Sequence, residues 1–303
     1  MRVLVAATAK VAIPTLEWLK QSEHELIGIV TTPDSRTGRG KILSQSSVAK
    51  WAEDNQIVAL KPNTHDEMRK AFENTDVVIA IAYGRILQKD ILALPKYGFL
   101  NLHFSLLPSY RGAAPVQRAL LNGEKKTGIS IFKIDESLDT GPIYLQKSYE
   151  IPVNATSEDV LKDLSEIGAQ SFHKVLIDIE NGDQPKAQTT ENVTFAPKIT
   201  KEEARIDWAK PAQFIHNLVR AFTPSPGAWT TMNENIIKVS QVIPTTKPIT
   251  LTPGTIEVQD RRLFATTSDF CLEVIRIIPA GKKEMLVSDW LNGTRVSTGD
   301  KFE

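Results

Sequence analysis

The chain has 303 residues, of which 41% are hydrophobic and 24% charged, and its 36 basic and 36 acidic side chains give a formal net charge of zero. This composition is typical of a globular protein and excludes both a largely disordered chain and an overall basic field. Because Cys271 is its single cysteine, the chain cannot form an internal disulfide. No apolar run reaches the roughly 18 residues of a membrane span. We therefore expect a cytoplasmic protein without membrane contact.

The first half of the chain alternates apolar segments with segments of helical periodicity. The apolar segments predict strands at residues 2–6, 26–30, 76–82, 99–104, 128–134 and 143–151, of which 76–82 and 99–104 are expected to be inner strands. Residues 13–19 and 157–181 have the apolar spacing of amphipathic helices. Strands that alternate with helices predict an α/β fold, with an open, mostly parallel sheet and helices on both faces.

The character of the chain changes after about residue 205. Prolines and glycines become frequent, and they separate short β-rich segments such as residues 236–242 and 272–278. This pattern predicts a small C-terminal β-barrel with five strands, similar to an OB fold. We therefore predict an N-terminal domain at residues 1–181, a polar linker at 182–206 and a β-barrel domain at 207–303.

Common cofactor motifs are absent or incomplete. The turn after the first strand, at residues 6–12, contains no glycine, which disfavours a dinucleotide site. Residues 38–41 resemble the end of a phosphate-binding loop, but Ser35 stands in place of its first glycine and Ile42 in place of its Ser or Thr. The five histidines are scattered, so we expect no metal site.

A polar row follows one predicted inner strand. Side chains at alternate strand positions share a face, so Asn101, His103 and Ser105 can lie together. Pro108 ends this strand, which places the row at the carboxyl end, where open α/β sheets bind ligands. A polar pair that only caps the strand through backbone hydrogen bonds fits the spacing equally well.

An acidic turn at residues 134–141 supplies a possible partner for the imidazole. A carboxylate at Asp139 would raise the basicity of His103 and fix its orientation, whereas Glu136 is expected to be solvated. Ser105 follows His103 by two residues on the same face, so the two side chains point alike and a serine-hydrolase triad is not expected. An amide, an imidazole and a carboxylate suit acyl transfer to an amine.

At these residues the sequence resembles the 10-formyltetrahydrofolate-dependent formyltransferases. The resemblance extends over nearly the whole chain and rests on the motifs Asn101-x-His103-x-Ser105-Leu106-Leu107-Pro108, Arg111-Gly112-Ala113-Ala114-Pro115 and Leu138-Asp139-Thr140-Gly141. It implies that residues 1–181 form the catalytic domain. Ser137 stands where the family usually has glycine, which predicts either a strained backbone at this position or a slightly different turn.

The resemblance supports catalytic roles for three residues. His103 accepts the proton of the attacking amine or, as imidazolium, stabilises the oxyanion that develops on the formyl group. Asn101 donates a hydrogen bond to that oxyanion, and Asp139 orients His103. These roles are hypotheses that join the chemistry of the residue types to the family pattern.

The resemblance also implies a folate pocket, with 10-formyltetrahydrofolate as the co-substrate. The pair Tyr83-Gly84 looks like part of the loop that shapes this pocket. The residues expected to bind the co-substrate lie in three segments and are Tyr83, Gly84, Arg85, Ile86, Leu87, Ser105, Leu106, Leu107, Pro108, Ser137 and Leu138.

Within the family, the likeness favours the members that formylate the α-amine of methionyl-initiator tRNA. Residues 37–41 resemble a basic loop inserted after the second strand, and residues 198–208 resemble the start of the family's C-terminal domain. We expect Arg36, Arg39 and Lys41 to contact tRNA phosphates, since residues 35–50 contain four basic residues and no acidic one. We also expect the β-barrel domain to assist tRNA binding and the protein to be a monomer.

Other functions fit parts of the same pattern. The acceptor could instead be a nucleotide-linked amino sugar or glycinamide ribonucleotide, and water as acceptor would give a formyltetrahydrofolate hydrolase. A module that binds tRNA or folate without chemistry is the alternative from a different class. The second domain argues against glycinamide ribonucleotide as the acceptor, and the basic loop argues against an amino sugar. The presence of Asn101, His103 and Asp139 argues against a binding module without chemistry.

Overall fold

The computed structural model of the chain describes residues 1–37 and 42–303, which form two compact units. The first unit contains residues 1–115, 126–150 and 161–196, and the second contains residues 116–125, 151–160 and 197–303. The second unit thus includes two short segments that the sequence analysis assigns to the N-terminal domain. The boundaries at residues 181 and 207 stay a prediction.

The described residues form strands and helices in alternation at first and mostly strands later. The strands are β1 (Arg2–Ala7), β2 (Glu25–Val30), β3 (Ser35–Thr37), β4 (Ile42–Ser44), β5 (Ala59–Leu60), β6 (Val77–Ile81), β7 (Phe99–His103), β8 (Lys126–Lys133), β9 (Ile143–Glu150), β10 (Trp229–Met232), β11 (Asn235–Pro248), β12 (Ile256–Gln259), β13 (Arg262–Thr266), β14 (Phe270–Pro279) and β15 (Met285–Leu286). The α-helices are α1 (Ile13–Gln21), α2 (Ser47–Asp54), α3 (His65–Phe72), α4 (Lys89–Leu92), α5 (Pro115–Leu121), α6 (Ser157–Glu180), α7 (Ala212–Phe222) and α8 (Val287–Gly293). Short 3-10 helices lie at Lys10–Ala12 and Glu202–Ala204.

The first unit is built on one sheet with the strand order β5-β2-β1-β6-β7-β8-β9. The five strands from β5 to β7 are parallel, whereas β8 and β9 run antiparallel to their neighbours. The mostly parallel sheet expected from the sequence is confirmed. Because β1, β6 and β7 are parallel neighbours, their carboxyl ends meet at one edge of the sheet, where ligands bind in folds of this class.

The core of the first unit explains why its inner strands are so apolar. All five residues of β6 are buried, as expected for a strand covered on both faces. Phe72 of α3 packs edge-on against Phe99 of β7, with ring centroids 5.0 Å apart. Each such buried aromatic side chain contributes roughly 1.5–3 kcal/mol. This packing fixes the strands whose ends carry the polar side chains.

Strand β7 also packs closely against α6 on the face opposite its polar row. Leu102 is buried, and a Cβ atom at Gly168 would overlap with the Leu102 side chain. Glycine at position 168 therefore allows the close approach of α6 to β7. With Leu102 held in the core, the alternation of the strand places Asn101 and His103 together on the other face.

The second unit contains an antiparallel sheet with the strand order β10-β11-β14-β13-β12, and β15 pairs with β14. The β-rich C-terminal part expected from the sequence is confirmed, but the described residues form six strands in this sheet where the sequence analysis predicts five. Helix α7 packs against β11 and β14, and Trp208 stacks on Phe302 with ring centroids 5.3 Å apart. In the described part of the chain, no helix combines the length and apolar character needed to cross a bilayer.

Candidate active site

His103 is the last residue of β7, and its side chain is almost completely enclosed. It retains only 5% of its accessible surface. In the sheet it pairs with Ser130 of β8, and Asn101, two residues earlier, pairs with Ala80 of β6 and Phe132 of β8. The strand alternation therefore places the imidazole and the carboxamide side by side at the carboxyl end of the parallel strands.

The two ring nitrogens of His103 have different partners. The Nε2 atom lies 2.9 Å from the carbonyl oxygen of Tyr110, which can only accept a hydrogen bond. In the neutral ring Nε2 therefore carries the proton, and the lone pair is on Nδ1. The Nδ1 atom lies 3.7 Å from the Oδ2 atom of Asp139. The basic atom of the ring thus faces the carboxylate expected from the sequence.

Backbone geometry places Asp139 opposite His103. Its φ angle is +53°, a left-handed conformation that is uncommon for a residue other than glycine. The Oδ2 atom accepts a 2.7 Å hydrogen bond from the backbone N–H of Gly112. Gly112 has a φ of +123°, and a Cβ atom there would lie 2.7 Å from the carbonyl oxygen of Ala196. Glycine at position 112 therefore allows the Ala196 backbone to lie against the residue whose N–H binds the carboxylate.

The electrostatics keep His103 neutral near physiological pH. Burial lowers the pKa of His103 below its usual value, because the charged ring loses hydration. The Asp139 carboxylate and the Tyr110 carbonyl both act in the opposite direction. The result is an uncharged imidazole with an available lone pair, placed beside an acid that stabilises the ring once it becomes protonated.

The acidic turn has its unusual backbone conformation at a residue other than Ser137. Ser137 does not have a positive φ; the left-handed residue of the turn is Asp139. The Oδ1 atom of Asp135 accepts hydrogen bonds from the Ser137 N–H, at 3.2 Å, and the Thr140 hydroxyl, at 2.7 Å. Asp135 therefore organises the turn from within, and Leu138 is left 61% exposed at its tip.

The segment between residues 105 and 108 is held by hydrogen bonds between serine hydroxyls and backbone atoms. The Ser105 hydroxyl donates a 2.6 Å hydrogen bond to the Ser109 carbonyl, so it serves the turn that follows β7. Since β7 ends at His103, the strand alternation does not extend to Ser105. The buried Ser130 hydroxyl donates to the Ser105 carbonyl at 2.7 Å and accepts from the Leu107 N–H at 3.0 Å.

The loop after β6, which includes residues 83–87, has a backbone that turns sharply. Ala82 and Gly84 both have positive φ angles, of +46° and +76°. The Tyr83 side chain is buried with 5% exposure, and this burial raises the pKa of its hydroxyl. Ile86, in contrast, is 92% exposed. The loop thus presents an apolar side chain outward while Tyr83 anchors it to the core.

Further contacts fix the same loop at its two ends. The Thr8 hydroxyl, in the glycine-free turn after β1, donates a 3.1 Å hydrogen bond to the Tyr83 carbonyl. Arg85 donates a hydrogen bond from Nη1 to the Pro62 carbonyl, and Leu87 packs against the core of the first unit. The turn after β1 therefore supports the loop after β6.

Four residues that position the pair were not identified from the sequence. Tyr110 and Gly112 contact His103 and Asp139 through backbone atoms. The Thr194 hydroxyl accepts a 2.8 Å hydrogen bond from the Tyr110 N–H, and Gln188 contacts the backbone on both sides of Thr140. The Arg-Gly-Ala-Ala-Pro motif contains Gly112 and directly follows Tyr110. No local signal marks Gln188 or Thr194, because these two act across more than 45 residues of chain.

The predicted tRNA-binding residues are not part of this geometry. Arg39 and Lys41 lie outside the described residues, and Arg36 lies in β3 with a side chain that is likewise outside them. Within residues 1–37 and 42–303, no three His, Cys, Asp or Glu side chains are grouped as metal ligands would be.

Comparison with known proteins agrees with this architecture. The family described as formyl transferase matches residues 1–176, and its C-terminal domain matches residues 198–295. Two solved structures share the fold. They are WlaRD, a sugar 3N-formyl transferase, with a TM-score of 0.70, 22% identity and coverage of 93% of this chain and 99% of that one, and the methionyl-tRNA formyltransferase from Clostridium thermocellum, with a TM-score of 0.58, 18% identity and coverage of 91% and 99%.

A relative of known name is similar over the full length. The methionyl-tRNA formyltransferase of Salinispora tropica is 40% identical over 307 residues, which covers 99% of each chain. The predicted catalytic residues lie within the N-terminal match, in the part of the chain where His103 and Asp139 come together. The chain belongs to the formyl transferase family.

Proposed function

We propose that this protein transfers the formyl group of 10-formyltetrahydrofolate to the α-amine of methionyl-initiator tRNA. The observation that carries the choice of acceptor is the 40% identity, over 99% of the chain, to a relative named methionyl-tRNA formyltransferase. The chemistry is supported by the pair of His103 and Asp139, whose facing atoms lie 3.7 Å apart at the carboxyl end of β7. We further expect the protein to act as a monomer in the cytoplasm.

His103 acts as the general base. The neutral α-amine attacks the formyl carbon and must lose a proton as its nitrogen bonds to carbon. The Nδ1 lone pair accepts that proton, and the imidazolium formed then lies beside the Asp139 carboxylate. When the bond from the formyl carbon to N10 of the folate breaks, the same proton can pass to N10. His103 therefore both accepts the proton of the amine and supplies the proton that N10 needs.

Asn101 stabilises the charge that develops on the formyl oxygen. Its side-chain amide carries N–H donors, and the strand alternation places it on the same face as His103. A donor that is fixed before the reaction needs no reorganisation in the transition state, which is why such groups contribute strongly to rate. The tetrahedral intermediate would lie between the carboxamide and the imidazole.

The folate co-substrate binds against the loop at residues 83–87, the segment at 105–108 and the turn tip at 137–138. The exposed side chains of Ile86 and Leu138 offer apolar surface. The fixed backbone of the turn after β7 offers hydrogen-bonding groups. An apolar surface with a few polar anchors is typical of sites for small aromatic ligands. The similar fold of WlaRD, whose crystals contained 5-N-formyl-THF, is consistent with this assignment.

The tRNA is bound in part by Arg36, Arg39 and Lys41, and residues 207–303 assist. Contacts between these side chains and phosphates release counterions, so affinity falls as salt rises. We expect the Arg39→Ala variant to bind methionyl-initiator tRNA more weakly and with a shallower salt dependence, while folate affinity is unchanged. Lys126→Ala, which removes one exposed positive charge elsewhere, is the matched control. An Arg39→Ala variant with unchanged affinity and salt slope would contradict this role.

The function is tested by incubating the protein with 10-formyltetrahydrofolate and methionyl-initiator tRNA. We expect formyl groups on the aminoacyl end of the tRNA, at a rate far above that without enzyme. Parallel reactions contain a nucleotide-linked amino sugar, or no acceptor other than water. Transfer to the sugar alone, release of formate alone, or binding without any transfer would each contradict the proposal and identify one of the alternatives.

A further inference from the structure

The segment that the sequence predicts as a linker is attached to the first unit at two places. Lys186 pairs with Ile143 at the start of β9 through backbone hydrogen bonds of 2.7 and 2.8 Å. Farther along, Phe195 forms a bridge with Arg111, the residue between Tyr110 and Gly112. The stretch from residue 186 to 196 therefore runs beside the pair of His103 and Asp139. Within it, Gln188 makes the side-chain contacts that matter for the site.

The Gln188 amide uses both of its ends. Its Nε2 atom donates hydrogen bonds to the carbonyl oxygens of Asp139, at 2.9 Å, and Gly141, at 2.8 Å. Its Oε1 atom accepts a 2.6 Å hydrogen bond from Nη2 of Arg111. These partners fix the orientation of the amide, because a flip would place its oxygen against two carbonyl oxygens and its NH₂ group against the guanidinium.

These contacts act on the residues that face His103. Asp139 has a left-handed backbone, an unfavourable conformation that persists only when its surroundings enforce it. Two hydrogen bonds from one amide hold the carbonyls on either side of Thr140. Through Arg111, the same amide also contacts the segment that carries the Tyr110 carbonyl and the Gly112 N–H. Gln188 thus holds the acid and the backbone around it in one arrangement.

We propose that Gln188 is a positioning residue for formyl transfer, acting through Asp139 to hold the carboxylate at the Nδ1 atom of His103. This inference rests on the proposed function for its kinetic consequence. It does not make Gln188 a catalytic residue, since none of its hydrogen bonds reaches the imidazole. Small displacements of a reacting group can cost on the order of 10²-fold in rate.

A double-mutant cycle with Asp139 tests the inference. Gln188→Met keeps the length of the side chain and removes all three hydrogen bonds. In the otherwise unchanged protein, we expect kcat for formyl transfer to fall by about 10- to 10²-fold. In the Asp139→Asn background, we expect the same substitution to change kcat by less than about threefold, since positioning a lost carboxylate has no further effect.

Two more variants separate the effect of the Gln188 hydrogen bonds from the effect of changing the surrounding segment. Gln188→Glu retains an acceptor for Arg111 but places carboxylate oxygens against the Asp139 and Gly141 carbonyls, so it should also lower kcat. Gln184→Met is the matched control, because Gln184 is exposed and its amide donates a hydrogen bond to the nearby Gly182 carbonyl, away from Asp139. It should behave as the unchanged protein in every assay, and thermal unfolding shows whether each variant is folded.

A readout without turnover separates this inference from the proposed function. Because the Asp139 carboxylate raises the pKa of His103, Gln188→Met should lower the pH midpoint of the His103 ring signal in NMR, and should not do so in Asp139→Asn. Equal losses of kcat in both backgrounds, or a His103 midpoint that Gln188→Met leaves unchanged, would overturn the role of Gln188. Absence of formyl transfer by the unchanged protein would instead overturn the proposed function.

Discussion

Each of the two units contains a histidine that is buried from solvent. The two rings have different neighbours, and only His103 faces a carboxylate among the partners described below. His103 in the first unit is 5% exposed, and His216 on α7 in the second is 4% exposed. The first faces the carboxylate of Asp139 at 3.7 Å. The second has the amides of Asn154 and Gln213 as ring partners, at 3.2 and 3.3 Å.

The neighbours of His216 make it a structural group. Its Nε2 atom can donate to the Asn154 oxygen while Nδ1 accepts from the Gln213 amide, which satisfies a neutral ring. Burial, with a contribution from the nearby Arg220 guanidinium, lowers the pKa of His216 to about 4. Around His103 the carboxylate opposes the same effect of burial. Burial favours the neutral form of both histidines, and the carboxylate beside His103 favours uptake of a proton by that ring.

The largest contrast between the two histidines should appear in turnover. His103→Asn removes the base, and the loss of a general base costs about 10²- to 10⁴-fold in rate. His216→Asn should leave kcat for formyl transfer within about threefold. Both variants are compared by single-turnover transfer to methionyl-initiator tRNA, with circular dichroism as the check on folding. Similar losses in the two variants would remove the distinction between them.

Asn101 sharpens the same contrast, because the proposed function places its amide at the formyl oxygen. Removing one donor to an oxyanion typically costs about 10²- to 10³-fold in rate. We expect Asn101→Ala to lower kcat by this amount while the dissociation constant for folate changes little. Equilibrium binding of the folate is measured beside turnover. A kcat within threefold of the unchanged protein would show that the carboxamide has no part in the reaction.

The smallest effect concerns stability and belongs to His216. Its pKa is about 4 in the folded protein and 6.5 when unperturbed, so the unfolded chain binds more protons between these values. The free energy of unfolding should therefore fall as pH drops through this window, by about 3 kcal/mol in full. His216→Gln cannot take up this proton, so its stability should depend less steeply on pH. Urea unfolding at several pH values measures the slopes, and equal slopes would contradict the account.

The sequence predicts those parts of the fold and site that depend on local pattern. The apolar segments give the inner strands of the first sheet, and the polar row gives Asn101 and His103 together at the end of β7. The catalytic roles of these residues and of Asp139 stay predictions, as do the folate and tRNA contacts. The chemistry proposed for Asn101, His103 and Asp139 follows from their side-chain types, which can be read directly from the sequence.

Features that depend on long-range contacts were not predicted. Gln188 lies in a polar stretch without any motif, and only the folded chain brings it to Asp139. Helix α7 was not assigned, because His216, Asn217 and Arg220 interrupt its apolar face although all three are buried. At the start of α6, Thr156 makes reciprocal contacts with Asp159, whereas the Ser157 hydroxyl donates to the distant Thr223 carbonyl.

Histidine NMR titration of the unchanged protein and of Asp139→Asn tests most directly whether Asp139 makes His103 a proton acceptor. The chain has five histidines, so the ring signals can be assigned by substitution. We expect His216 to titrate near pH 4, and His103 to titrate below pH 6.5. In Asp139→Asn we expect the His103 midpoint alone to move to lower pH. A His103 midpoint that Asp139→Asn leaves in place, or moves upward, would contradict the account.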